Sequence, residues 1–167
     1  MIVVLMGVSG SGKTTIGTLL AQRTGVVFAD ADDYHPAANK AKMAAGNPLN
    51  DDDRQPWLEV LNRLMRGWHD AGEGGVLACS ALKEKYRATL ADGLPADAIH
   101  FVLLDGSAEM IAARLAARKH EYMNPKLLES QFKTLEKPKP GEAYAIVNDR
   151  APEVIVSEIL AHVGSPS

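Results

Sequence analysis

Ile2-Val3-Val4-Leu5-Met6-Gly7-Val8-Ser9-Gly10-Ser11-Gly12-Lys13-Thr14 is the stretch whose reading decides the fold. Ile2 to Met6 is a short, continuously apolar run, the mark of a strand buried on both faces. Gly7 to Thr14 fits the pattern Gly-x4-Gly-Lys-Ser/Thr. From Thr15 to Arg23 a helix is expected, because Ile16, Leu19 and Leu20 fall at helical spacing. The pattern thus sits between a strand and a helix N-terminus, where a loop that cradles phosphates must sit.

Each residue type in that loop has a physical reason. Glycines allow the backbone to turn tightly and aim successive N–H groups inward. The positive end of the following helix favours a polyphosphate. Lys13 can reach the β- and γ-phosphates, and the Thr14 hydroxyl can join a Mg²⁺ shell. The loop by itself does not say what the nucleotide is used for.

Working outward, further apolar runs at Val26-Val27-Phe28, Val76-Leu77-Ala78-Cys79, Phe101-Val102-Leu103-Leu104 and Ala145-Ile146-Val147 alternate with helical patterns. Such alternation predicts an α/β fold, a parallel sheet covered by helices on both faces. The clearest helix follows Asp51-Asp52-Asp53, with Trp57, Leu58, Leu61, Leu64, Met65 and Trp68 on one face and Pro56 placed in its first turn. Other helices are expected over 81–91, 108–119, 126–136 and 152–162. No repeat or linker interrupts the 167 residues, which suit one domain.

Composition narrows the class. A hydrophobic content of 46% with 23% charged residues is ordinary for a soluble globular protein. A net charge of −3 and the lack of a basic tract argue against a nucleic-acid partner. The apolar start is too short for a signal peptide or a membrane span, so a cytoplasmic location is expected. Cys79 is the single cysteine and ends an apolar run, which suits a small core residue. The five histidines show no metal-ligand spacing.

Polar residues collect where strands should end, and ligands of open parallel sheets bind there. Asp30-Ala31-Asp32-Asp33-Tyr34-His35-Pro36 follows the second strand. Asp30 and Asp32 can divide labour, one holding Mg²⁺ through water and the other accepting a proton from a substrate hydroxyl; a solvated acidic turn would look the same. Arg54 can clamp a carboxylate or pair with the neighbouring aspartates. Lys83 and Arg87 fall at the spacing of one helix face with Ser80 and bring cations to the sheet edge, as a solvent-facing helix also would. Arg114 and Arg118 lead into Lys119-His120-Glu121-Tyr122-Met123-Asn124-Pro125, a polar segment suited to a lid whose arginines neutralise a transferring phosphoryl group; Arg114 can instead stack on adenine. Gln131 stands among Leu127, Leu128, Phe132 and Leu135, so it needs a buried partner or faces a site. A GTPase-like switch would need Asp-x2-Gly after a strand and Asn-Lys-x-Asp; neither occurs, and Asp105-Gly106 reads as a strand-end turn.

The loop Gly7 to Thr14, the block Asp30-Ala31-Asp32-x2-His35-Pro36-x2-Asn39-x2-Lys42-Met43 and the block Gly46-x-Pro48-Leu49-Asn50-Asp51-Asp52-Asp53-Arg54-x-Pro56-Trp57-Leu58 resemble the gluconokinases. Cys79-Ser80-Ala81-Leu82-Lys83-x2-Tyr86-Arg87 and Leu128-x-Ser130-Gln131-Phe132-x2-Leu135-Glu136-x-Pro138 extend the resemblance over nearly the whole chain. It implies a P-loop NTPase domain of the nucleoside-monophosphate-kinase-like type over 1–167, with five parallel strands in the order 2-3-1-4-5 and a lid at about 119–126. It implies transfer of the ATP γ-phosphate to the 6-hydroxyl of D-gluconate, with Mg²⁺, by a homodimer. The nucleotide would be held by Gly7, Ser9, Gly10, Ser11, Gly12, Lys13, Thr14, Thr15 and Arg114. Asp32 would orient the hydroxyl, as in the related shikimate kinases, and Asp30 would hold Mg²⁺ through water alongside Thr14. His35, Arg54, Lys83, Arg87 and Gln131 would face gluconate, and Lys13 and Arg118 would serve transfer. Ala31 stands where family members often carry Gly, and Glu121 where the lid histidine is expected.

Overall fold

The computed structural model describes residues 1–117 and 125–164. Arg118, His120 and Glu121, and with them most of the expected lid, lie outside the described residues. Five strands, β1 (Ile2–Met6), β2 (Val27–Asp30), β3 (Gly75–Ala78), β4 (Ile99–Asp105) and β5 (Tyr144–Val147), form one parallel sheet in the order β2-β3-β1-β4-β5. This is the order the resemblance implies. The helices among the described residues are α1 (Lys13–Thr24), α2 (Ala37–Ala44), α3 (Asp51–Asp70), α4 (Glu84–Ala91), α5 (Ala108–Ala117), α6 (Pro125–Thr134) and α7 (Pro152–Val163). A 3-10 turn, Ala31–Tyr34, follows β2 directly.

The reason β1 is apolar throughout is its central place. Successive side chains of a strand point to opposite faces, and both faces are covered. Ile2, Val4 and Met6 pack with Trp57, Leu58, Leu61, Met65 and Trp68 of α3 and Tyr86 and Leu90 of α4. Val3 and Leu5 pack with Ile16 and Leu20 of α1 and Ile155, Val156 and Ile159 of α7. Every residue of β1 is at most 1% exposed. A smaller cluster of Val8, Ile111 and Leu128, joined by Leu115 and Phe132, packs the loop after β1 against α5 and α6. The carboxyl ends of all five strands share one edge because the strands are parallel, so the segments that follow them converge there.

Two helix starts differ from the sequence reading. The α3 helix begins at Asp51 behind a capping box, in which the Asn50 side chain accepts the Asp53 N–H and the Asp53 carboxylate accepts the Asn50 N–H. Pro56 therefore sits in the second turn, where it lacks the N–H that would meet the Asp52 carbonyl. The α4 helix begins at Glu84 and not at 81, because Ala81 takes a left-handed conformation, φ +48°, that a helix cannot contain. Lys83 is consequently the residue before the helix, and the shared face with Ser80 does not form.

Gly75 opens β3 under the ring of Trp68, and a Cβ there would lie 2.3 Å from the ring. Gly75→Ala should therefore overpack the core and lower stability by about 1–3 kcal/mol in urea unfolding; an unchanged midpoint would contradict this packing.

Candidate active site

The Gly7, Val8 and Ser11 carbonyls of the loop after β1 need donors. Side chains from four directions supply them or brace the loop. Lys13 Nζ donates to the carbonyls of Gly7 and Val8 at 2.9 and 3.0 Å. Asn148, directly after β5, donates from Nδ2 to the Ser11 carbonyl at 2.9 Å. Arg114 of α5 donates to the same carbonyl at 3.2 Å and to the Asn148 carbonyl. Gln131 of α6 accepts the Ser9 N–H at 2.7 Å and donates to Ser9 Oγ at 3.1 Å. Gly12 is required at its position: φ is +98°, and a Cβ would stand 2.3 Å from Asn148 Nδ2.

The loop fits a bound polyphosphate. Ser11 is 1% exposed, and its Oγ has no hydrogen-bond partner among the described residues. Thr14 and Thr15 are exposed in the first turn of α1. Thr14 and Asp30 offer only oxygen donors, the chemistry that Mg²⁺ prefers. Burial pushes the Lys13 ammonium below its ordinary value, and the Asp32 and Asp30 carboxylates oppose the shift. These acids therefore lie within electrostatic reach of Lys13.

Asp30 ends β2 and its Oδ1 accepts the Asp32 N–H at 3.0 Å, which starts the 3-10 turn. That turn presents Asp32. Enclosure by the surrounding walls and then the Asp30 carboxylate push the Asp32 pKa upward, against His35 and Lys13. The side chain is 85% exposed, so water screens these effects. His35 is buried against Trp57, with ring centroids 4.2 Å apart, and its Nε2 lies 4.0 Å from Asp32 Oδ1. Burial lowers its pKa, Asp32 opposes this, and Arg54 and Lys40 add to it. The Trp57 indole N–H donates to the Ala31 carbonyl at 2.7 Å and so pins the turn to α3.

Cations line the other wall. Arg54 donates to the Tyr86 hydroxyl at 3.0 Å and lies 3.8 Å from Asp51. Lys83 reaches both Asp51 oxygens at 3.2 Å, and Lys85 and the Tyr86 hydroxyl donate to Asp51 as well. The Lys85 ammonium first, then the Tyr86 hydroxyl and Lys83, hold the Asp51 carboxyl well below the usual carboxylate range. Arg54 thus lies beside a neighbouring aspartate and meets Tyr86 of α4.

Two residues expected to face the acceptor have protein partners. Arg87 is 3% exposed; it donates to Glu142 at 2.9 Å and to the carbonyls of Ala81 and Glu136 at 2.9 and 3.0 Å. Its guanidinium holds the strained Ala81 loop to the segment after α6 and is spent there. Gln131 has its partner in half-buried Ser9, so it braces the phosphate loop. Arg114 likewise spends its donors on backbone carbonyls. Asp105 Oδ1 accepts the Gly106 N–H at 2.9 Å, the expected strand-end turn. The Cys79 thiol is buried and pushed up to about 12, an inert core group. Sequence reasoning missed Asn148; its one signal is a lone asparagine at the end of the last strand.

The Lys139 N–H first, and Arg87 after it, hold the Glu142 carboxyl below its ordinary value. An unfolded carboxyl near 4.3 binds more protons than the folded one in this range. Its contribution is therefore complete above about pH 4.3 and is lost as pH falls through the folded value. Glu142→Gln should lower stability at pH 7 by leaving Arg87 without its counter-charge, and the gap from wild type should narrow on acidification. Urea unfolding from pH 7 to 3 checks this; a gap constant with pH would contradict it.

Residues 2–138 match a family described as AAA domain. A probable gluconokinase of Xenopus tropicalis is 47% identical over 98% of this chain and 93% of its own length. A gluconokinase of Gluconobacter oxydans is 45% identical over 95% of this chain and 89% of its own. The crystal structure of a gluconokinase from Sinorhizobium meliloti superposes with a TM-score of 0.85 at 38% identity, covering 96% of this chain and 90% of that one. With its phosphate loop, its acidic turn after β2 and these likenesses over nearly its whole length, the chain belongs to the gluconokinase family of P-loop kinases.

Proposed function

We propose that this chain transfers the γ-phosphoryl group of ATP to the 6-hydroxyl of D-gluconate, giving 6-phospho-D-gluconate and ADP. The observation that carries the reading is the meeting of three parts at one sheet edge: Lys13 in the phosphate loop, Asp32 within its electrostatic reach, and the cations Arg54 and Lys83 nearby around Asp51. Phosphoryl transfer asks mainly for positioning and charge neutralisation. Lys13 gives up the Gly7 and Val8 carbonyls for the β- and γ-phosphates. Thr14, with Asp30 through water, would hold Mg²⁺, which supplies neutralisation of the phosphate oxygens. Asp32 accepts the hydrogen of the 6-hydroxyl. As the new O–P bond forms, the bond from the γ-phosphorus to the β–γ bridging oxygen breaks, and the hydroxyl proton passes to Asp32.

The acceptor is an anion, which supports the placement of cations beside an acidic protein's cleft. Gluconate's carboxylate takes over donors that Asp51 holds, Arg54 and Lys83 foremost. Arg118 is assigned to the transferring phosphoryl group on its sequence position alone. A homodimer in the cytoplasm is proposed from the resemblance; no described helix is long and apolar enough to cross a membrane.

A coupled assay of ADP release with gluconate, shikimate, glucose and no acceptor tests the reading. Gluconate should stimulate release far above the others, and equal rates with all four would overturn it. In the same assay Asp32→Asn should lower turnover by about 10²–10⁴-fold with ATP affinity little changed; near-normal turnover would remove the role given to Asp32. Arg54→Ala should raise the KM for gluconate by about tenfold or more, the loss of a hydrogen bond to a charged group, and an unchanged KM would rule out the clamp.

A further inference from the structure

Asn39 is a buried polar residue of α2, 5% exposed, with no role in the account above. Its Nδ2 lies 2.9 Å from the carbonyl oxygen of Asp53, which can only accept. The atom there must therefore be the amide nitrogen and not the oxygen. That nitrogen carries a second hydrogen, and the next acceptor within reach is His35 Nδ1 at 3.3 Å. A neutral imidazole that accepts at Nδ1 carries its proton on Nε2. Nε2 is the atom that faces Asp32 Oδ1 across 4.0 Å.

We infer that Asn39 is a positioning residue: it fixes the Nε2–H form of His35, whose N–H dipole, 4.0 Å away, favours one oxygen of Asp32 and leaves the other free for the acceptor alcohol. The inference rests on Asp32 being the group that orients that alcohol. The rest of the surroundings hold the ring still. Trp57 stacks on it at an interplanar angle of 15° and is itself tied to Ala31, one residue before Asp32. The charged groups facing His35 are Asp32 from the 3-10 turn, Lys40 from α2 and Arg54 from α3; with burial, the two cations favour the neutral ring. The same asparagine joins α2 to α3 through Asp53, whose carboxylate closes the helix cap and pairs with Lys42 at 2.5 Å. The orientation of Asp32 is thereby tied to two helices outside the phosphate loop.

The wild-type protein gives the first test. Long-range ¹H–¹⁵N correlation at pH 8, with His35 assigned by its loss in His35→Gln, should show a protonated Nε2 and a bare Nδ1; the opposite form would overturn the inference. Kinetics give the second. Asn39→Leu should lower turnover with gluconate by about 10- to 100-fold, the size expected when a reacting group is misplaced by a remote change, while the KM for ATP stays near wild type and the Nδ1–H form of His35 appears. Normal turnover in Asn39→Leu beside a crippled Asp32→Asn would overturn the role of Asn39 and leave that of Asp32 standing. Normal turnover in Asp32→Asn would remove the underlying reading itself.

Discussion

A tight loop between a strand and a helix must find donors for its carbonyls. In this protein the Ser11 carbonyl receives Asn148 and Arg114, the Gly7 and Val8 carbonyls receive Lys13, and Ser9 is held at both its N–H and its hydroxyl by Gln131. The loop after β1 is thereby fastened to α5, to α6 and to the turn after β5. Much of the polar chemistry around the sheet edge serves this single requirement. It also explains why side chains that look like ligand contacts are not free: a buried donor left without an acceptor is costly, and these carbonyls are the acceptors at hand.

The opposite wall obeys a different constraint. An anionic acceptor must approach a nucleotide that is itself strongly negative, so cations are needed near it, and unpaired cations in a partly enclosed cleft are unfavourable. Asp51 resolves this by gathering Lys83, Lys85 and the Tyr86 hydroxyl around one carboxylate, with Arg54 at 3.8 Å. One carboxylate thus gathers several donors at the sheet edge, and a second carboxylate can share or replace it. Asp32, by contrast, is presented to solvent by the 3-10 turn, open to an incoming group.

The sequence shows the sheet plainly because β1 is apolar on both sides and the loop after it has a fixed spacing. The order of the strands came from resemblance, since periodicity alone does not say which strand lies beside which. What was hidden is long-range pairing. Gln131 stood out as a polar residue in an apolar helix, yet its partner is 122 residues away, and Asn148 reaches Ser11 across 137. Arg87 misled for a local reason: the left-handed Ala81 delays α4 to Glu84, so the spacing that suggested a cation pair on one face points Arg87 into the protein. Asn39 was visible within its motif, but nothing in a linear text connects it to a carbonyl of α3 and a ring nitrogen at once.

The central claim is that Asp32 and the phosphate loop hold the alcohol and the outermost phosphorus in line. A crystal structure with ADP, tetrafluoroaluminate, Mg²⁺ and gluconate tests it most directly. The gluconate 6-oxygen should lie within about 3 Å of the Asp32 carboxylate, opposite the ADP oxygen across the aluminium, with the sugar-acid carboxylate against Arg54 and Lys83. A 6-oxygen turned away from Asp32, or a carboxylate bound elsewhere, would contradict it.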